Sequence, residues 1–576
     1  VFLRVLCGEG SFFLRSCFSP SGMARLPALF STFNQESLMR SRRLGLILSL
    51  CLAVLLTCLA QGQRQRPSSS EAAPTPAAAP AAVAPATQAP GGDKLSDAAA
   101  RPAPEAKEAP EEKPVVTHHE IHVGGKTLRY TATTGMMPIR DAAGKLEAHI
   151  FYMAYTLDNP GARRPLTFSF NGGPGSSSVW LHLGAIGPRR IKMQPEGFMP
   201  APPYQVVDNE ATWLDQTDLV FLDPVGTGYS RAVTPELGKK FWGVQGDIES
   251  VGEFIRLYLV RNERWNAPLF IVGESYGTFR AAGLAGYLID RGVALNGVML
   301  ISTILNYGTH EFTRMNDLPY ALILPSYTAT AWYHKKLSPE LQQQPVARVA
   351  ADAGTFAESE YLSALAKGDR LSAQERQAVI QKMSGLTGLS PLYLDESNLR
   401  VSLQFFLKEL GRSDKKTYGR LDSRFEGIDL SAATATPEYD PSMAAIIPPY
   451  TSAFNNYVRS ELGYKSDLIY YILGGGIGPW DSGQQYRGGF QETAEALRTA
   501  FAKNPYMKLF VACGYYDMAT PFFATQYTIN HMGLPAEAHQ RITMTNYEAG
   551  HMMYIHSDSL SRLRKDVGTF YENALR

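Results

Sequence analysis

The chain has 576 residues, enough for two to four domains at ordinary domain sizes. Lys+Arg 55 against Asp+Glu 54 leaves a formal net charge of +1, which sets aside nucleic-acid binding through displaced counterions. At 45% hydrophobic and 11% aromatic the chain can build a large core, and its one apolar run near spanning length excludes a polytopic membrane protein.

From Met39 the chain reads as an export signal. Arg40, Arg42 and Arg43 precede the apolar run Leu44 to Ala60, and Ala60 and Gly62 offer small residues for cleavage. Residues 39–62 are therefore expected to be a signal peptide, with an uncleaved anchor as the alternative. Residues 1–38 read as an over-extended start. Export places the mature protein in a periplasmic or secreted setting, with the membrane involved only through that segment. Residues 63–114 are rich in Ala and Pro, with too few large apolar groups to offset the entropy of ordering, and are expected to form a disordered linker. Four of the five cysteines, Cys7, Cys17, Cys51 and Cys58, precede residue 63. Cys513 alone remains, so neither an internal disulfide nor a multi-cysteine zinc site is expected, and nothing calls for a metal or other cofactor.

Folded structure is expected over 115–576. The run Leu128 to Thr131 alternates, and His118, His119 and His122 before it lack the His-Glu-x-x-His spacing of a zinc site, so they read as an exposed strand. Short apolar runs at Leu166–Phe170, Leu219–Leu222, Leu269–Val272, Val298–Ile301 and Leu509–Ala512 read as buried strands. Between two of them Val251, Phe254, Ile255, Tyr258 and Leu259 follow helical spacing. This alternation predicts an α/β fold: a mostly parallel central sheet flanked by helices. From about 307 to 504 the rhythm turns helical, with Ser338-Pro339 as a helix start and Ser372 with Glu375 as a capping box, so a large helical cap insertion is expected there. Tyr320, Tyr327, Trp332 and Tyr333 either line a pocket or form the insertion's own core. Gly474–Pro479 reads as a loop near the cleft.

Chemistry concentrates in a few short stretches. Gly273-Glu274-Ser275-Tyr276-Gly277 follows a strand and precedes the helical run Ala281–Leu288. A nucleophile on a tight strand-to-helix turn needs small residues two positions away on each side, and Ser275 fits. Asn171-Gly172-Gly173-Pro174-Gly175 follows an earlier strand, and its glycines allow close backbone approach to a substrate. A serine hydroxyl needs a base, and the base an orienting acid. Asp517, just past the last predicted strand, is the best-placed acid, with Asp481 and Asp558 as alternatives. His551 is the best-placed base, with His531, His539 and His556 as competitors.

These stretches, together with Asp223–Ser230, occur in the order found in the serine carboxypeptidase family, which the region 115–576 resembles. The resemblance implies an α/β-hydrolase fold and a serine-type carboxypeptidase that releases C-terminal residues from peptides through an acyl-enzyme. It implies a triad of Ser275, Asp517 and His551, an oxyanion hole from the backbone N–H groups of Gly173 and Tyr276, and Asn171 with Glu274 holding the substrate's C-terminal carboxylate. An acyltransferase or an esterase of the same fold is the alternative. Two positions depart from the family pattern. Ser169 stands where many members have Trp, which leaves one wall of the carboxylate site unassigned, and Ser176 stands where many have a disulfide-bonded Cys. The second suggests a bacterial-type member.

Overall fold

Nine strands of one sheet order the molecule: β1 (Val115–Val123), β2 (Lys126–Arg140), β3 (Leu146–Leu157), β4 (Leu166–Phe170), β5 (Asp218–Leu222), β6 (Leu269–Ser275), β7 (Gly297–Thr303), β8 (Lys508–Gly514) and β9 (Ile542–Tyr547). A two-residue strand, Arg231–Ala232, joins β3 as the tenth. The computed structural model describes residues 111–160, 163–481 and 489–576. The expected over-extended start, signal peptide and nearly all of the linker lie outside the described residues.

The strand order is β1-β2-β3-β5-β4-β6-β7-β8-β9. From β5 to β9 every neighbouring pair is parallel. β1, β2 and β3 are antiparallel and extend one edge, so the sheet as a whole is mixed. His118, His119 and His122 lie in β1, where His119 stacks on Tyr130 of β2. The strand and helix alternation thus gives the expected α/β fold, with an antiparallel edge that it did not predict, and the architecture is the α/β-hydrolase one that the resemblance implied.

The five predicted buried strands all form, each within a residue or three of its expected bounds. Side chains alternate across a strand, so each of them feeds two cores. Ile271, Leu300 and Val511 face one layer with helices α1 (Val244–Arg261) and α2 (Tyr276–Ile289). Their neighbours Val272, Ile301 and Ala512 face the other, against Leu563, Val567 and Phe570 of the C-terminal helix. Val251, Phe254, Ile255, Tyr258 and Leu259 are the buried stripe of α1. Double burial explains why these strands read as unbroken apolar runs.

Between β7 and β8 the chain leaves the sheet. It forms, among other elements, helices α3 (Leu318–Tyr333), α4 (Val346–Phe356), α5 (Ala373–Thr387) and α6 (Pro441–Ser460), and the small hairpin Lys416–Tyr418 with Glu426–Ile428. The Ser372–Glu375 capping box starts α5, with Glu375 N–H donating to Ser372 Oγ at 3.3 Å and Ser372 N–H donating to Glu375 Oε2 at 3.1 Å. Tyr327 of α3 is buried and stacks on Phe406, which makes it part of this segment's own core. Among the described residues, no helix is long and apolar enough to cross a membrane.

Candidate active site

Side chains held at the carboxyl ends of parallel strands converge above the sheet, and four strands contribute here: β4, β6, β8 and β9. Asn171 follows β4, Ser275 ends β6, Asp517 lies three residues past β8 and His551 four past β9.

Ser275 sits at φ +59°, ψ −132° between β6 and α2. A left-handed φ at a residue with a Cβ costs about 1–3 kcal/mol and persists only where the surroundings enforce it. They do so here. A Cβ on Gly273 would lie 2.0 Å from the Gly277 carbonyl oxygen, and one on Gly172 would lie 2.4 Å from the backbone nitrogens of Tyr276 and Gly277. Only glycine allows the β4 loop to press against the turn. Tyr276 opens α2, so its N–H has no acceptor within the helix.

His551 Nδ1 lies 2.7 Å from Asp517 Oδ2. Asp517 is wholly buried, and its other oxygen accepts the backbone N–H groups of Ala519 (2.8 Å) and Thr520 (2.9 Å). The Thr520 hydroxyl donates to Asp517 Oδ2 at 2.7 Å, which leaves the carboxylate little freedom to turn. Burial, the largest single influence, disfavours the imidazolium, but the charge and hydrogen bond of Asp517 together with the Glu274 charge outweigh it and raise the His551 pKa above its ordinary value. The alternatives lie elsewhere: Asp481 bridges to the backbone of Gly243, and His556 faces Ser559 and Glu196. Asp558 lies in the first turn of the C-terminal helix, and His531 bonds to the Tyr527 carbonyl. His539 ends the short helix Ala536–His539.

Glu274 and Asn171 also meet. Asn171 Nδ2 donates to Glu274 Oε2, and the Tyr554 hydroxyl donates to the same oxygen at 2.7 Å. Burial raises the Glu274 pKa from 4.5 to about 7, against the opposing pull of His551 and Tyr554. A carboxyl group near neutrality can hold its proton while the substrate carries the charge. Asn171 is itself fixed, because its Oδ1 accepts the Leu181 N–H at 3.0 Å.

Beneath the turn is a buried ion pair. Arg280 Nε lies 2.8 Å from Asp247 Oδ2, the Tyr276 hydroxyl donates to that oxygen at 3.1 Å, and Arg280 Nη1 donates to the Asn171 carbonyl at 2.7 Å. Removing one partner of such a pair leaves an uncompensated buried charge. Arg280→Met should therefore lower stability by about 3–5 kcal/mol in urea unfolding. A loss below 1 kcal/mol would show that Asp247 finds other compensation.

Asn171, Gly173, Glu274, Ser275 and His551, which the sequence singled out, line one cleft; Asp517 bonds to His551 from outside its lining, and Tyr276 is not among the lining residues. Several contributors carried no such signal. Trp180 forms an aromatic wall, its indole N–H donating to Ser176 Oγ at 2.8 Å and its ring packing on Tyr450 of α6. The cleft therefore has a Trp although Ser169 is not one. Met443 and Ile446 of α6 supply another wall, where Tyr320, Tyr327, Trp332 and Tyr333 were weighed. The loop Gly474–Pro479 does adjoin the site: the Gly474 N–H donates to the Gly175 carbonyl at 2.8 Å, and Leu473 just before it lines the cleft. Tyr554 and Thr520 could have been suspected only as polar neighbours, three residues along the chain from His551 and Asp517. Arg280, a charge within an otherwise apolar helix, was the legible hint of a buried partner.

Comparison with known proteins bears on the same region. The family model described as serine carboxypeptidase matches residues 125–563. Serine carboxypeptidase-like 51 of Arabidopsis thaliana is 32% identical over 154 residues, which cover 25% of this chain and 30% of that protein. Serine carboxypeptidase-like 46 of the same plant is 25% identical over 399 residues, 62% of this chain and 80% of that one. The chain thus spans about a third of the first of these relatives and most of the second. Among solved structures, a prohormone-processing carboxypeptidase from Saccharomyces cerevisiae superposes with a TM-score of 0.46 at 16% identity, over 77% of this chain and 92% of its own. The two relatives are plant proteins, and they give the bacterial-type reading no support.

Proposed function

Because the chain belongs to the serine carboxypeptidase family, we propose that it is an exported enzyme that releases C-terminal residues from peptides through an acyl-enzyme on Ser275. In this reading His551, held by Asp517 at Nδ1, presents Nε2 to the serine and takes its proton as Oγ attacks the scissile carbonyl. The Gly173 and Tyr276 N–H groups receive the oxygen as it becomes charged. His551 then returns the proton to the leaving amine, and water activated by the same imidazole releases the acyl group. Asn171 and protonated Glu274 hold the terminal carboxylate of the departing residue. Export rests on residues 39–62, which read as a signal peptide.

The observation that carries this reading is the 2.7 Å His551–Asp517 bond in the cleft that Ser275 enters from a strained turn. A hydrolase that ignores the substrate's carboxylate would not need the buried Asn171–Glu274 pair beside it. The test compares an N-blocked dipeptide with its C-terminal amide. Amidation should lower kcat/KM by at least about a hundredfold, since a site built for one polar group discriminates strongly against its loss. Equal turnover of acid and amide would favour an esterase or general acyl hydrolase.

A further inference from the structure

Arg420 is the one permanently cationic side chain among the described residues that line the cleft. It is half-buried, and its charge acts on His551. Its guanidinium has no carboxylate partner among the described residues, unlike Arg424 four positions on, which is paired with Asp422.

The backbone around Arg420 is fixed from several sides. Arg420 N–H donates to Asp440 Oδ1, the capping side chain of α6, at 3.1 Å. The Arg420 carbonyl accepts the Met518 N–H at 3.1 Å, beside Asp517, and the Leu421 carbonyl accepts the His551 N–H at 2.6 Å. Asp422 Oδ2 accepts the Gly550 N–H at 3.0 Å. This segment of the insertion is thus bonded to both loops that bring the acid and the imidazole. Arg420 is held at the cleft by a backbone frame that does not depend on its guanidinium.

A half-buried cation with no carboxylate partner among the described residues gains most from a ligand carboxylate, and the planar guanidinium suits two parallel N–H···O bonds to one. Position decides which carboxylate. His551 hands its proton to the leaving amine, so the departing residue lies beside His551, and Arg420 lines the same cleft next to Leu421, whose carbonyl accepts the His551 N–H. The α-carboxylate of that residue is already assigned to Asn171 and Glu274. We propose that Arg420 receives the side-chain carboxylate of the departing residue, which makes peptides ending in glutamate or aspartate the preferred substrates. This inference rests on the carboxypeptidase reading.

Binding and turnover separate the two. In the Ser275→Ala background, calorimetry compares N-blocked Ala-Glu with N-blocked Ala-Gln, which differ in side-chain charge alone. The glutamate peptide should bind on the order of tenfold tighter, the size of one charge-assisted hydrogen bond in a half-exposed site. Adding Arg420→Met should bring the ratio to about one, and Arg420→Lys should keep part of it. Equal binding without the Met change, or a ratio that survives it, overturns the proposal. An equal loss for both peptides also overturns it, since Arg420 would then read the terminal carboxylate. Turnover of the same peptides by the unsubstituted enzyme reports on the carboxypeptidase reading alone.

Discussion

Replacing Ser275 by Ala should lower kcat on a blocked dipeptide by about a million-fold, the scale seen when a serine nucleophile is removed from an assembled triad. The prediction depends on the alanine enzyme being folded, and the turn provides for that. Alanine keeps the Cβ and the strained left-handed backbone (φ +59°) that the contacts around Gly172, Gly273 and Gly277 impose. Its stability should therefore match that of the unsubstituted chain. Ser275→Gly separates the two effects, because glycine adopts this φ without a steric penalty. The glycine variant should be equally inactive yet about 1 kcal/mol more stable in urea, the strain having been removed. Retention of a tenth of the activity in either variant would mean that Ser275 is not the nucleophile.

The second large effect concerns pH. The His551 pKa is raised by Asp517, and Glu274 beside it is lifted by burial to about 7. A base must be unprotonated to accept the serine proton, so kcat/KM should rise with pH as His551 loses its proton. Glu274 must hold a proton to donate to the substrate carboxylate, so kcat/KM should fall as pH passes about 7. The result is a bell whose two limbs belong to the interacting pair. Glu274→Gln keeps an oxygen for Asn171 and Tyr554 and an N–H for the substrate, and cannot ionise. The descending limb should vanish, with the variant gaining on the parent by up to about tenfold per pH unit above neutrality. The Glu274 charge also raises the His551 pKa, so the ascending limb should move to lower pH. Tyr554→Phe removes a donor that favours the ionised carboxyl, and the descending limb should then shift upward. A parent profile that is flat from pH 4 to 8 on peptides would refute this account.

Five inner strands of the sheet were readable in the linear chain because they are buried on both faces, whereas β3 and β9 were not read. A strand such as Leu269–Val272 must be apolar at every position, and that leaves an unbroken run in the text. The turn at Ser275 was readable for a similar reason, since contacts as close as 2.0 Å admit only glycine at fixed offsets from the serine. Asp517 could be nominated by its place after a strand end and His551 by its place near the C-terminus, but not joined: their 2.7 Å bond spans 34 residues, and nothing local encodes it.

What the linear order could not convey is how the segment between β7 and β8 folds back. Its residues 420–422 bond to the loops at 518 and 550–551, and α6 brings Met443 and Ile446 into the cleft. Such contacts depend on shape and on pairing between residues 98 to 130 positions apart, so they leave no period or motif. Ser275 was therefore nominated by a pattern that local backbone geometry demands, whereas Asp517 and His551 stood among alternatives until the family resemblance singled them out. The walls, the lone guanidinium and the neutral-range carboxyl arose from burial and long-range approach, which exist only once the chain has packed.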